Sequence, residues 1–516
     1  MQTEKEYLVG REVRALRCES VGEYSLPDYN GDIRKVLALK TKVFPTGKFV
    51  GDDSLEISGT VGYEFVYLDA ENNVTHAEFL TDYDAAVRIN SETYVDSDVE
   101  TSVSGCNMRL VGPRKISVKC MLDSDVHISE RRCYTIGGDA FMEYEPQILS
   151  TSASVLATSF FVGESKAVSE ELLSIDGAIA DEVEVLLSDA RVFLDTVEPA
   201  GDGVTLDGML KVTVLYRNAD ERPKLLSKDI PYSAQLVPNG LEKTEYIDAR
   251  VDTTSFTSSV SPTEDGVALS VFATLTPKIS LKGNAQLPLV HDAYLKERGT
   301  ENEYTELSYT EHVCTHKESV RFEEKRSLSE IGLEQADEVI YAEASVRTER
   351  CEFVGGVVKI DGEVRFAGIG CSDNDEVGAM CSPIKFALPF SENVKLNCQK
   401  DGDMRLNCTV TARNAEIEFG ENSVLASCLL DVGIDVYEEK RERCLSGSYL
   451  TDEEFTRDES VVTVYYPDKT ESLFGIAKRF HTSVESIARD NKLSESVFTS
   501  SGNSLGTAGV KRLIIK

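Results

Sequence analysis

Tryptophan is absent from this chain, and no run of eighteen apolar residues occurs in it. The second absence leaves no segment long and apolar enough to cross a membrane as a helix. The opening Met1-Gln-Thr-Glu-Lys-Glu-Tyr-Leu-Val-Gly10 carries charges where a signal peptide needs an apolar stretch, so a soluble, cytoplasmic protein is expected. Positive charge is scarce, with 54 Lys and Arg against 89 Asp and Glu and a formal net charge of −35. That balance argues against nucleic acid and anionic membranes as partners. The twelve cysteines are scattered through 516 residues without one Cys-x-x-Cys pair. Reduced thiols are therefore expected, several of them filling core positions as small hydrophobes, as at Cys428.

Catalytic signatures are missing too. There is no Gly-x-x-x-x-Gly-Lys-Ser/Thr loop, no Gly-x-Gly-x-x-Gly after a strand, no His-Glu-x-x-His and no Gly-x-Ser-x-Gly. Carboxylates are too numerous to single out a glycosidase pair, and no enzyme is expected. The nearest thing to a metal motif is His312-Val-Cys314-Thr-His316, which alternation puts on one strand face with ligand types that zinc prefers. Same-face neighbours at about 3.3 Å per residue spread such a set over about 13 Å, and no fourth ligand is evident nearby. A half-buried strand is the better reading, and no cofactor or metal is called. His76, His127, His291 and His481 are isolated.

What the chain does have is a strand pattern that recurs three times around a glycine. The copies are Leu55-Glu-Ile57-Ser-Gly59-Thr-Val61, Val204-Thr-Leu206-Asp-Gly208-Met-Leu210 and Val358-Lys-Ile360-Asp-Gly362-Glu-Val364, with the glycines 149 and 154 residues apart. A period of that size is a domain repeat rather than a solenoid turn. Ala180-Asp-Glu-Val183, Ala336-Asp-Glu-Val339 and Asp32-Ile-Arg-Lys-Val36 stand in comparable places before the glycine, and turn formers follow each glycine strand, so a hairpin is predicted there. Within the first copy Leu55, Ile57, Val61, Tyr63 and Phe65 share a core face, and Glu56, Ser58, Thr60 and Glu64 a wet one. The glycine itself marks a bulge or a close backbone approach. The polar stretch at 298–303 reads as a linker between the second and third copies.

Residues 460–516 differ from the acidic body, carrying five Lys and three Arg against two Asp and three Glu. Val461-Val-Thr-Val464 is β-prone, and 467–470 supplies a turn. Leu473, Ile476, Ala477 and Phe480 lie on one helix face, and Val484, Ile487 and Ala488 on another. Thr482-Ser-Val-Glu485 has capping-box spacing, and Arg512-Leu-Ile-Ile-Lys516 closes as a strand. The fold class predicted is mainly β: three tandem β-sandwich-like repeat domains at 5–140, 145–285 and 309–445, followed by a small β-α-α-β domain at 460–516.

Val462-Thr-Val-Tyr465, Leu473-Phe-Gly-Ile-Ala-Lys-Arg-Phe480, Thr482-Ser-Val-Glu485 and Asn491-Lys-Leu493 resemble a LysM module. Joined to the triple β array, it is similar to the DUF3794 (SPOCS) plus LysM proteins of endospore-forming Firmicutes, and His291-Asp-Ala-Tyr294 resembles the Asp-Ala-Tyr linker of that family. The resemblance implies a non-enzymatic mother-cell protein of spore-coat assembly at the forespore surface, whose LysM end contacts the coat-basement ATPase. The LysM entry Gly-Asp-Thr-Leu-Trp appears here as Pro467-Asp-Lys-Thr-Glu-Ser-Leu-Phe474, and the usual Tyr-Pro-Gly before the last strand is missing from 498–509. Both loops form the sugar groove of glycan-binding relatives, so a protein partner is expected, with peptidoglycan or another glycan as the alternative. Candidate contact residues are Asp468, Lys469, Thr470 and Glu471 on the first loop and Asn491 and Lys492 after the second helix.

Overall fold

The computed structural model describes residues 3–218, 222–239, 244–354, 356–374, 378–396, 404–456, 461–468, 470–493 and 510–516. The first six strands are β1 (Thr3–Ser25), β2 (Lys35–Val50), β3 (Ser54–Leu68), β4 (Val74–Arg88), β5 (Tyr94–Gly112) and β6 (Lys115–Ile136). They form two antiparallel sheets, ordered β1-β6-β5 and β2-β3-β4. A short helix α1 (Asp139–Glu143) leads into β7 (Gln147–Val162), β8 (Lys166–Asp176), β9 (Val183–Ala200), β10 (Gly203–Asn218), β11 (Lys224–Leu236), β12 (Tyr246–Pro262) and β13 (Gly266–Tyr294). Here the sheets are β9-β10-β11 and a second in which β13 is flanked by β12 and by β7 and β8 in succession. Then come β14 (Arg298–Ser327), α2 (Leu328–Ile331), β15 (Glu338–Val354), β16 (Val357–Asn374), β17 (Gly378–Lys395), β18 (Met404–Phe419) and β19 (Ser423–Glu454), in sheets β14-β19-β18 and β15-β16-β17. One strand order serves all three sets, with β7 and β8 together taking the first place in the second: first, last and next-to-last in one sheet, the three strands between them in the other. The chain ends in β20 (Thr463–Tyr465), α3 (Leu473–Arg479), α4 (Val484–Asp490) and β21 (Leu513–Ile515).

Alternation in the strands builds a core between the sheets of each set. Leu55, Ile57, Val61, Tyr63 and Phe65 of β3 face Ile116, Val118, Cys120 and Leu122 of β6. Leu210, Val212 and Val214 meet Val267, Leu269 and Val271 in the second set, and Val358, Ile360 and Val364 meet Val424, Ala426 and Leu430 in the third. Each fully buried side chain of this kind stabilises its sheet pair by roughly 1.5–3 kcal/mol.

The central glycine answers to both readings made of it. A Cβ on Gly59, Gly208 or Gly362 would stand 2.6, 2.1 or 2.3 Å from the carbonyl oxygen of Phe44, Phe193 or Arg347 on the neighbouring strand. The ladder shifts register beside each of them. On the other side an aromatic ring covers the gap: Tyr83, Tyr232 and Phe390 are the direct cross-strand partners of the three glycines. Tyr232 also donates its hydroxyl hydrogen to the Phe193 carbonyl, 3.1 Å away. Gly208→Ala is expected to displace both groups and cost about 2–3 kcal/mol. Chemical denaturation of the variant checks this, and a loss below about 0.5 kcal/mol would refute the close-approach account.

The outer face of the glycine strand is wet only in part. Beyond Glu64 it buries Val66 and Leu68, because the three sheet pairs pack on one another there. Val66, Leu215 and Ile369, each seven residues after its glycine, cluster with their cross-strand partners Ala38, Leu187 and Tyr341. Two residues further on, the equivalent positions hold Lys40, Asp189 and Glu343, and these are mutually paired. Lys40 lies 3.0 Å from Asp189 and also pairs with Glu343, while Arg191 reaches Asp189 at 3.0 Å and Glu343 at 3.4 Å. Burial alone would raise the Asp189 carboxyl, but Lys40 and Arg191 outweigh it and hold it at about 2. Tyr7, Tyr134, Ala153, Leu287, Leu289, Tyr309 and Leu445 form a second shared cluster at the far ends of the long strands.

Two expectations are corrected here. Residues 298–303 are not a linker but the start of β14, paired with the far end of β19. Strands extended past the sandwich expose both edges of their side-chain pattern, and the polar alternation looks like a loop. Cys371 and Cys381 are not reduced thiols but a disulfide, because they face each other on β16 and β17 with Cα atoms 4.1 Å apart.

Candidate docking site on the C-terminal module

The end of the chain builds a small core of its own. β20 and β21 pair antiparallel, with Val464 opposite Ile514. Leu473, Phe474, Ile476 and Ala477 of α3 pack on Ile487 and Ala488 of α4 and on Leu513 and Ile515 of β21. Each helix starts at a serine whose hydroxyl accepts a backbone N–H from the first turn: Ser472 from Gly475 at 3.0 Å and Ser483 from Ser486 at 3.2 Å. The second cap is thus one residue past the expected Thr482. That threonine is buried, and its backbone is committed elsewhere, to Ala477 through its N–H and to Tyr294 through its carbonyl.

Tyr294 comes from the end of β13, so the module's core is completed by the body. It is 3% exposed, meets Phe474 edge to face at 5.1 Å and donates its hydroxyl hydrogen to the Thr482 carbonyl at 2.6 Å. Burial pushes its phenol well above the ordinary range. Asp292, on the same strand end, accepts two contacts of 2.7 Å from the Lys478 ammonium and is itself held by the Asn302 amide and the Ala293 N–H. Phe455 stacks on His481, completing the clamp. Residues 291–294, a linker by resemblance, thus form an anchor at the end of β13, for which a carboxylate and an aromatic flanking a small residue are the signal in the sequence.

The residues expected to make contacts divide by what they already touch. Glu471 accepts from the Tyr465 hydroxyl and the Asp468 N–H and pairs with Arg479 at 2.8 Å, closing the loop into α3. Asn491 bonds the Ile487 carbonyl at 2.8 Å and both backbone groups of Ile514, tying α4 to the outer edge of β21. Asp468, Thr470 and Lys492 are exposed. Lys469 and the 498–509 segment lie outside the described residues.

A surface that the sequence reading did not single out lies on the two-stranded ribbon. Val462, Val464 and Tyr466 alternate onto one face and are 55%, 53% and 69% exposed, and Ile514 stands beside Val464. The opposite face, with Leu513 and Ile515, is buried. Apolar residues on both faces of a two-stranded ribbon were the signal for it.

The His312, Cys314 and His316 set is not brought together. A bulge at residue 313 breaks the alternation, so His312 lies opposite Tyr437 while Cys314 and His316 lie opposite the core residues Val436 and Ile434. His312 stacks on Tyr246 and meets the tilted ring of Tyr437, and burial lowers its pKa. Among the described residues no group of three His, Cys, Asp or Glu is placed to hold a metal ion. Nearby, Thr315, Lys317 and Tyr437 border a cavity of about 290 Å³ between the three sheet pairs. Its walls are ion-paired: Arg250 with Asp98 at 2.6 Å, Lys282 with Asp435 at 3.0 Å, Lys317 with Asp248 at 3.1 Å. Such pairing fastens the sheet pairs to one another.

No family model, curated protein or solved structure matches the chain. No helix among the described residues is long and apolar enough to cross a membrane.

Proposed function

We propose that this chain is a non-enzymatic assembly protein whose LysM-like C-terminal module docks a protein partner while the three-part β body holds that module in a set orientation. The observation that carries the reading is an exposed apolar ribbon face, Val462, Val464, Tyr466 and Ile514, on a module clamped to the body by Asp292 and Tyr294. Apolar surface rimmed by charge suits a protein interface better than a sugar groove. The resemblance to SPOCS and LysM proteins of the SipL type supplies the setting: the mother-cell cytoplasm at the forespore surface, with the coat-basement ATPase as partner.

The test uses the full chain against that ATPase in a calorimeter, with N-acetylglucosamine oligomers as the second titrant. Val464→Lys is expected to weaken ATPase binding at least tenfold by placing a charge in the contact. Lys492→Glu is expected to weaken it in a salt-dependent way, acting on encounter and complementarity. Micromolar binding of the sugar oligomers with no heat from the ATPase would overturn the proposal and leave a glycan-binding protein.

A further inference from the structure

We propose that two cysteine pairs, Cys106 with Cys120 and Cys351 with Cys408, are oxidation sites at which a small peroxide closes intrachain disulfides. Cys106 on β5 and Cys120 on β6 are direct cross-strand partners, both turned into the core of the first sheet pair. That is the register relation that joins Cys371 to Cys381 in the third. Cys351 on β15 and Cys408 on β18 belong to opposite sheets of the third set and meet across its core. Within each pair the two thiols are hydrogen-bonded to each other.

The hydrogen bond polarises the pairs. It pushes the Cys106 thiol up and brings Cys120 down, and the bond from Cys408 brings Cys351 down. One member is thereby the better thiolate, which is the reactive form. That thiolate attacks a peroxide oxygen, the O–O bond breaks, and a sulfenic acid forms with release of hydroxide. The neighbouring sulfur then displaces hydroxide from the sulfenic sulfur and the S–S bond forms. The two thiol protons and the two hydroxides leave as water, so each pair loses two electrons and the peroxide gains them. Under reducing conditions the pairs remain dithiols. Closing the second pair links the two sheets of the third set, whereas closing the first ties the β5 edge to the centre of its own sheet.

The experiment treats the full chain with hydrogen peroxide, alkylates remaining thiols under denaturing conditions and maps non-reduced peptides by mass. Expected are cross-linked peptides 106–120 and 351–408, each lighter by two hydrogens. A rise in Tm of roughly 5 °C, reversed by dithiothreitol, should accompany them. Cys408→Ala should abolish most of that rise, and Cys351→Ala, which removes the other half of the pair, should do the same. Cysteines 106, 120, 351 and 408 recovered alkylated, or as sulfinic acids, or in bridges to other cysteines, would overturn the proposal.

Discussion

Tyr294→Ala is expected to release the C-terminal module while leaving the three sheet pairs folded. The side chain is almost wholly buried and belongs to the module's core, yet it is rooted in β13. Its removal deletes the ring against Phe474 and leaves the Thr482 carbonyl without its donor. Large-to-small replacement of a buried aromatic costs about 3–5 kcal/mol. A core of two short helices and a two-stranded ribbon has little reserve to absorb that. Hydrogen exchange resolves the two parts: amides of 473–490 should lose protection in Tyr294→Ala while those of β3, β10 and β16 keep theirs. Tyr294→Phe keeps the ring and loses only the hydrogen bond, so a change of about 1–2 kcal/mol is expected. Wild-type protection of the helices in Tyr294→Ala would show that the module stands without its anchor, and would remove the clamp from the functional proposal.

Lys40→Met is expected to destabilise the body by about 3 kcal/mol at neutral pH, because it leaves two largely buried carboxylates, Asp189 and Glu343, to share Arg191 where two cations had held them. The pH dependence separates charge from packing. Asp189 titrates at about 2 in the folded protein, below the unfolded carboxyl value near 4. Its contribution is therefore fully present above about pH 4 and is lost as the pH falls from there toward about 2. Without Lys40 the carboxyl is no longer held down as strongly, so the gap between variant and wild type should narrow in urea denaturation at pH 3 relative to pH 7. An equal gap at both values would assign the loss to the packed lysine stem.

Much of the local structure was legible beforehand. Strands around Gly59, Gly208 and Gly362, the antiparallel strand that follows each of them and two amphipathic helices after 470 appear where period places them, while residues 219–221 and 375–377 of the second and third connections lie outside the described residues. In the first hairpin the Asp69 carboxylate accepts the N–H groups of Glu71 and Asn73, a turn written entirely in neighbouring residues. The misreadings share a cause. The 298–303 stretch looked like loop because its partner strand lies some 150 residues later. His312 left the face of Cys314 because one bulged residue inverts every side chain after it. Glu471 and Asn491 looked available because their internal partners, Arg479 and Ile514, sit on other elements of the module.

By itself, then, the sequence determined the mainly β character, the core face of each glycine strand and the two helix faces, since all of these follow from patterns within about twenty residues. Tertiary structure alone decided that the outer face carrying Val66, Leu215 and Ile369 is buried, that Lys40, Asp189 and Glu343 neutralise one another, and that Asp292 and Tyr294 hold the last module. Those outcomes depend on side chains 150 to 300 residues apart arriving at one place, and no local pattern records which distant charge or ring will meet them.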